Sequence, residues 1–382
     1  MAFPTSARLK LKSSLFAFAL FDAGETILGA LLFSTLYPLY ITRQIDVRTY
    51  SFFYGFAFLI SFIIALQLGK LADTRGLRKP LFTLFSLSVS GMGLMLFLTY
   101  SYPVFNFLLY LLLALFHQQA LVFYNSLLMS FSSKGFASGL GVAMGYVASA
   151  LALLFLAPHL SLPAAFLWVS LLFLLLSLPS LFALQEPEER QKVELTKLLK
   201  NRQFLLLIAS VLLLMELAHT LIAMMGVYLR EVFGLKDMEI YRVIGISAFG
   251  GVLGGLLFGR LTDKVSASKL FPLGFFLWSF FLLSLFFSKK EFLLPLGFFA
   301  GISLSHLWTT SRVLLLEEFS MEGIAVLFSF YSLSERIASS LGLISWSFFL
   351  LLTGKDYRLS ALLMLVFPVA GAVLYWTVKK RL

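Results

Sequence analysis

Gly69-Lys-Leu-Ala-Asp73-Thr-Arg75-Gly76-Leu-Arg78-Lys79-Pro80 is a compact charged stretch set between two long apolar runs. A degenerate copy, Gly259-Arg260-Leu261-Thr262-Asp263-Lys264, returns between the eighth and ninth apolar runs, and a repeat at the equivalent place implies two related halves. Outward from the first copy, runs of spanning length fall at 14–42, 50–69, 80–100, 103–131, 137–157 and 162–184. After a charged segment the pattern resumes at 203–229, 240–259, 269–288, 292–316, 323–352 and 358–378. A helix needs about 20 residues to cross the hydrocarbon core, so each run predicts one membrane span. The fold class read from this is an all-α membrane protein of twelve transmembrane helices: a six-helix bundle over 1–184, a cytoplasmic linker over 185–202 and a second six-helix bundle over 203–382.

Composition agrees with that pattern. The 382 residues are 60% hydrophobic and 13% charged, with a mean hydropathy of +0.93, which leaves too little polar surface to cover a water-soluble globule. The net charge of +11 does not point to nucleic acid, because the basic residues lie in short loops rather than in one patch with interleaved aromatics. Topology accounts for it. With the N-terminus in the cytoplasm, nineteen of the 30 Lys and Arg fall on the cytoplasmic side and nine on the other, while Arg312 and Arg336 lie within spans. Both termini are therefore predicted to be cytoplasmic. Arg8, Lys10 and Lys12 precede an apolar run too long for a signal peptide, and it reads as the first span. The chain has no cysteine, so disulfides, thiolate catalysis and Cys-ligated metal are excluded.

The linker carries Val193, Leu195, Leu198 and Leu199 at spacings that suit a short amphipathic helix at the membrane surface. Gly141-x-x-x-Gly145, and Gly250, Gly251, Gly254, Gly255 and Gly259, put small residues where spans five and eight would pack closely on neighbours. Gly250-Gly-Val-Leu-Gly-Gly255 lies in an apolar span, which makes it no dinucleotide loop, and no P-loop Gly-Lys-Ser/Thr is present. The four histidines are scattered and predict no metal site. No enzyme activity and no cofactor are expected, and the energy for any transport must come from a gradient.

Twelve spans in a six-plus-six order, with the 69–80 stretch after span two, resemble the major facilitator superfamily of secondary transporters. The superfamily pattern is roughly G-x-L-A-D-R-x-G-R-K. Gly69, Leu71, Ala72, Asp73, Arg75, Gly76, Arg78 and Lys79 stand in its places, with Thr74 where Arg is frequent. Further stretches resemble the autophagy-related vacuolar amino-acid effluxers and their bacterial relatives. Phe21-Asp22-Ala23-Gly24-Glu25-Thr26 is similar to Y-D-W-A-N-S, and Phe123-Tyr124-Asn125-Ser126-Leu127-Leu128 to F-Y-N-A-L-L. Ser138-Gly139-Leu140-Gly141 with Gly145-Tyr146, Ser311-Arg312 and Phe328-Ser329-Phe330-Tyr331 with Ser334-Glu335-Arg336 follow in the family's order. Met129-Ser130, Ala23 and Gly342-Leu343 depart from its P-D, W and G-P, which marks a divergent member.

An ionisable group near the bilayer centre costs about 2.5–3.5 kcal/mol on insertion scales, so one kept there faces a cavity or a partner. Asp22 and Glu25 lie three apart on one face of span one, and span seven repeats the device with Glu216 and His219. The resemblance implies that spans one, four, seven and ten line the central cavity. Asp22, Glu25 and Glu216 are the candidate proton carriers, and Arg336, Glu335 and His219 candidate substrate contacts. The alternative is that the acids pair with Arg336 and hold the helices together. His117, Tyr124 and Asn125 in span four, and His306 and Trp308 in span ten, either bind a zwitterionic or hydroxylated solute or bond between helices. The resemblance also implies a cytoplasmic gate at Gly69, Asp73, Arg75, Gly76 and Arg78, with Asp263 its weaker counterpart.

The sequence thus predicts a monomeric, proton-linked or facilitative carrier of a small solute in a bacterial-type inner membrane. The Gly-Pro pair that kinks span five of drug antiporters is missing, though a multidrug or lipid-like solute exporter stays open. A transport-inactive receptor or scaffold on the same fold is the alternative from another class.

Overall fold

The computed structural model describes residues 5–188, 190–191, 193–319, 321 and 323–379. All regular elements among them are helical. Twelve helices are long and apolar enough to cross a membrane: α1 (Ser13–Ile41), α2 (Thr49–Arg75), α3 (Arg78–Leu98), α4 (Pro103–Ser130), α5 (Lys134–His159), α6 (Ala164–Ala183), α7 (Arg202–Phe233), α8 (Met238–Val265), α9 (Ala267–Phe287), α10 (Lys290–Phe319), α11 (Ile324–Leu352) and α12 (Tyr357–Val378). At 1.5 Å per residue the shortest of them, with 20 residues, still reaches about 30 Å. Their outward faces carry Phe52, Ile63, Phe155, Phe276 and Leu351, all largely exposed, as a surface bathed in lipid requires.

Contacts divide the chain into two compact units, Met1–Val193 with Met321–Ser332, and Glu194–Ser320 with Leu333–Leu382. The first turns of α11, which chain order assigns to the second half, therefore group with the first unit. In the first unit α1 packs on α5 and α6, α3 on α4 and α6, and α2 on α4. In the second, α7 packs on α12, α9 on α10 and α12, and α8 on α10, which is the same scheme moved on by six helices. The first unit's core is aromatic: the rings of Phe18 and Tyr124 stack at 4.1 Å, and Phe21 lies 4.4 Å from Tyr124. In the second unit α8 and α10 meet backbone to backbone, because a Cβ at Gly250 would run into the carbonyl of Phe298.

Local chemistry sets the ends that matter for function. The stretch 69–80 is mostly helix rather than loop: α2 continues to Arg75 and α3 starts at Arg78. Gly76 takes a left-handed φ of 70°, which a side chain disfavours, and the N–H groups of Gly76 and Leu77 both donate to the Ala72 carbonyl at 2.8 and 3.1 Å. Among the described residues of the linker, a helix forms over Leu195–Lys200, with Leu198 buried and Leu199 exposed. Asn201 then starts α7 by accepting from the N–H groups of Gln203 and Phe204 at 3.0 and 3.2 Å.

Candidate functional site

Asp22 and Glu25 share one face of α1, yet their surroundings differ. Asp22 is buried, at 3% exposure, and its carboxylate lies where a side chain at Gly141 of α5 would go. One turn further, Thr26 occupies the same notch: a Cβ at Gly145 would stand 2.6 Å from its Oγ1. Thr26 Oγ1 donates back to the Asp22 carbonyl at 2.7 Å. The glycines at 141 and 145 thus admit a carboxylate and a hydroxyl, and not only a helix backbone. Glu25 is the more open acid, with its side chain 22% exposed, and its Oε1 lies 3.4 Å from Nε2 of His117 on α4. The His117 ring rests 4.8 Å from Phe33. Between these residues and the end of α1 the helix widens into a π-helical turn over Gly29–Leu36, where Thr35 Oγ1 donates to the Ala30 carbonyl at 2.8 Å. Such turns re-aim side chains and recur at functional sites.

The second unit repeats this arrangement in register. Glu216 on α7 is buried and accepts from Ser345 Oγ of α11 at 2.9 Å. Thr220 Oγ1 donates to the Glu216 carbonyl at 2.7 Å, as Thr26 does to Asp22, and a Cβ at Gly342 of α11 would run into that hydroxyl. His219 takes the place of Glu25. Its ring lies 5.3 Å from that of Trp308 on α10, and it interacts electrostatically with Arg336 on α11. His219 Nε2 is one of several buried side-chain polar atoms that have no hydrogen-bond partner among the described residues. Each unit therefore holds a sealed acid, a threonine four residues later and, between them, a second ionisable side chain, of opposite character in the two.

Other candidates bond between helices. The Tyr124 hydroxyl is buried and donates to the Phe18 carbonyl at 2.8 Å, and Asn125 is buried beside it in the chain. His306 is fully buried, with one ring nitrogen 3.0 Å from the Leu270 carbonyl and its edge against Phe258. On α4, Gln118 accepts from Ser332 Oγ at 2.6 Å, and Gln119 donates to the carbonyl and hydroxyl of Ser61, both at 2.8 Å. Thr26, Thr220, Gly342 and Ser345 were not among the expected site residues. The acid followed four residues on by threonine, in both halves, is the signal that would have marked two of them.

The third cluster is the charged stretch itself. Asp73 is fully buried, and its Oδ1 accepts from Arg78 Nε at 2.8 Å and from the Ala325 N–H at 2.9 Å. Its Oδ2 accepts from the Val326 N–H at 3.1 Å. Ala325 and Val326 stand in the first turn of α11, where backbone N–H groups have no partner within the helix and carry partial positive charge. Gly69, one turn before Asp73, lets the two backbones approach: a Cβ there would lie 3.2 Å from Ala325 and Val326 main-chain atoms. Arg75, expected beside Asp73, is exposed, and Arg78 makes the ion pair.

The comparisons with known proteins agree on what such an architecture is. Residues 15–265 and 220–381 match the family described as the Major Facilitator Superfamily, which between them take in nearly the whole chain. The chain belongs to this superfamily. It is 55% identical over 372 residues to an uncharacterized protein of Aquifex aeolicus (strain VF5), covering 97% of this chain and 98% of that one. Among solved structures it is similar to a bacterial homologue of the iron transporter ferroportin in an outward-facing state with soaked iron (TM-score 0.76, 15% identity, 97% of this chain and 99% of the other). FucP in its outward conformation (TM-score 0.75, 12% identity, 97% and 98% covered) and the human organic anion transporter TETRAN (TM-score 0.71, 14% identity, 98% and 100% covered) share the fold.

Within this superfamily member the two copies of the charged stretch are built differently. Asp263, the counterpart of Asp73, has an exposed side chain. Glu317, at the end of α10, instead accepts from the N–H groups of Ala267 and Ser268 at the start of α9, at 2.9 and 3.1 Å. The chain is a multi-pass secondary transporter of the major facilitator fold, and the two copies of its charged stretch are held unequally.

Proposed function

We propose that this transporter carries a small zwitterionic solute, an amino acid or a related metabolite, in exchange or in company with protons. It works as a monomer in a bacterial-type inner membrane with both termini in the cytoplasm. In this reading the chain is a divergent bacterial relative of the vacuolar amino-acid effluxers and moves its solute by alternating access. The observation that carries the proposal is the repeated set Asp22-Glu25-Thr26 and Glu216-His219-Thr220, each facing glycine on its neighbouring helix. Within the first unit the partly open Glu25 carboxylate suits an ammonium group, and within the second unit Arg336 near His219 suits a carboxylate. An acid kept within a membrane span is costly unless it serves a purpose, so Asp22, Glu25 and Glu216 are assigned the uptake and release of the coupled proton. The bonds from Asp73 to α11 hold the cytoplasmic gate and break when it opens.

Purified protein in proteoliposomes, challenged with labelled amino acids, organic acids, sugars and cationic dyes under an imposed pH gradient, tests this. Accumulation of an amino acid driven by the gradient is expected, and its dependence on the gradient should vanish in Asp22→Asn and Glu216→Gln. Undiminished gradient-driven uptake in both variants refutes the proton role. A simple organic anion is the second reading, favoured by Arg336 beside His219, and is chosen instead if carboxylates without an amine are carried equally well. Accumulation of dyes alone selects an exporter of drugs or lipid-like solutes, and no flux with no ligand-induced stabilisation selects a receptor.

A further inference from the structure

Asp73 has three bonding directions, and only two of them are accounted for by α11 and Arg78. Its main-chain carbonyl lies in the last turn of α2, where carbonyls lack helical partners. It accepts from the N–H of Gln191 in the linker at 2.9 Å. The same linker segment meets the charged stretch at further points. Glu186 Oε2 accepts from the N–H of Lys79, at the start of α3, at 2.5 Å, and Lys79 Nζ donates to the Ser180 carbonyl at the end of α6 at 2.6 Å. The Arg190 guanidinium lies over Gly76, with Nε 3.3 Å from where a Cβ would stand. Val193, only 5% exposed, fills the place of a side chain at Gly323, immediately before α11. Gln191 and Leu184 are buried as well, which is unusual for a linker in water.

We infer that the described linker residues Leu184, Glu186, Arg190, Gln191 and Val193 form a strap that holds the cytoplasmic gate closed, with Glu186 and Val193 as its positioning residues. Glu186 fixes the strap to α3, Gln191 ties it to Asp73, and Val193 wedges it against Gly323, so that Asp73 keeps both oxygens aimed at α11. The strap connects the two repeats in sequence, so tension on it reaches Asp73 directly. The inference rests on the gate role proposed for Asp73, and on neither the coupling ion nor the solute.

The chain contains no native cysteine, so spin labels at Thr74→Cys and Met321→Cys, both exposed, report the separation of the α2 end from the start of α11 without background. The measurement is a pulsed electron-electron distance distribution in proteoliposomes. Glu186→Ala and Val193→Ala are each expected to raise the long-distance fraction at least threefold. Glu186→Gln, which keeps an oxygen for the Lys79 N–H, should leave it within a factor of 1.5 of the parent. If both alanine variants keep the parent's distribution while Asp73→Asn opens it, the strap is overturned and the gate stands. If Asp73→Asn also keeps it, gate and strap fall together. Should one alanine variant not fold, the other decides, and equal opening by Glu186→Gln and Glu186→Ala overturns the positioning role of Glu186.

Discussion

Single residues show how burial, rather than identity, assigns work here. Glu186 is half-buried outside the membrane spans, and this burial pushes its carboxyl above the ordinary value of 4.5, while the Lys79 N–H and the Arg78 charge pull it back down. A raised value means that the docked strap holds its proton more tightly than an undocked one. Docking is therefore strongest below the ordinary glutamate range and weakens as pH rises through the raised value. The long-distance fraction of the Thr74/Met321 label pair should climb with pH over that window and then level off, and Glu186→Gln should flatten the slope. At this scale the sequence revealed the acids but not their seats. Asp22, Glu25, Glu216 and His219 stand out because charge is rare in apolar runs. That Gly141 receives the Asp22 carboxylate depends on how α1 and α5 cross, and a one-dimensional pattern of small residues cannot tell a seat for a backbone from a seat for a side chain.

At the scale of elements, glycine content alone does not tell which helices are welded. Gly250 faces the Phe298 carbonyl, which cannot move without moving α10, whereas Gly245 on the same helix has nothing within 4 Å of an added Cβ. Gly250→Ala should therefore cost about 1–3 kcal/mol or more through overpacking. Gly245→Ala should be neutral or stabilising by about 0.5–1 kcal/mol, because alanine is the better helix former. Melting temperatures of the two variants in detergent check the contrast. All twelve spans were legible, because length and hydropathy are what a bilayer selects. Their ends were less so: the stretch 69–80 reads as a loop by charge, but only Gly76 needs a conformation that a helix lacks, and the rest continues α2 and α3. The π-helical turn in α1 left no mark in the apolar pattern, which runs through Gly29–Leu36 without a break.

At the scale of the whole molecule, the excess of Lys and Arg in alternate loops predicts which side each faces. A membrane-impermeant maleimide added to inside-out vesicles should label Gln185→Cys and leave Lys289→Cys unmodified, and right-side-out vesicles should give the opposite result. The two-repeat order was readable from the second, degenerate copy of the charged stretch, but the inequality of the two was readable only in part. Loss of the second glycine and the basic pair hinted at it. The transfer of helix capping from Asp263's neighbourhood to Glu317 was hidden, because Glu317 comes from another helix about fifty residues on. Asp73, fully buried and bonded to α11, Arg78 and the linker, leaves almost no tolerance for change, while Asp263 is open to solvent. A protein made of two like halves can thus use the same motif in two ways: one copy is sunk into the interior and bound from several sides, and its twin stays at the surface, an asymmetry that the doubled architecture itself permits.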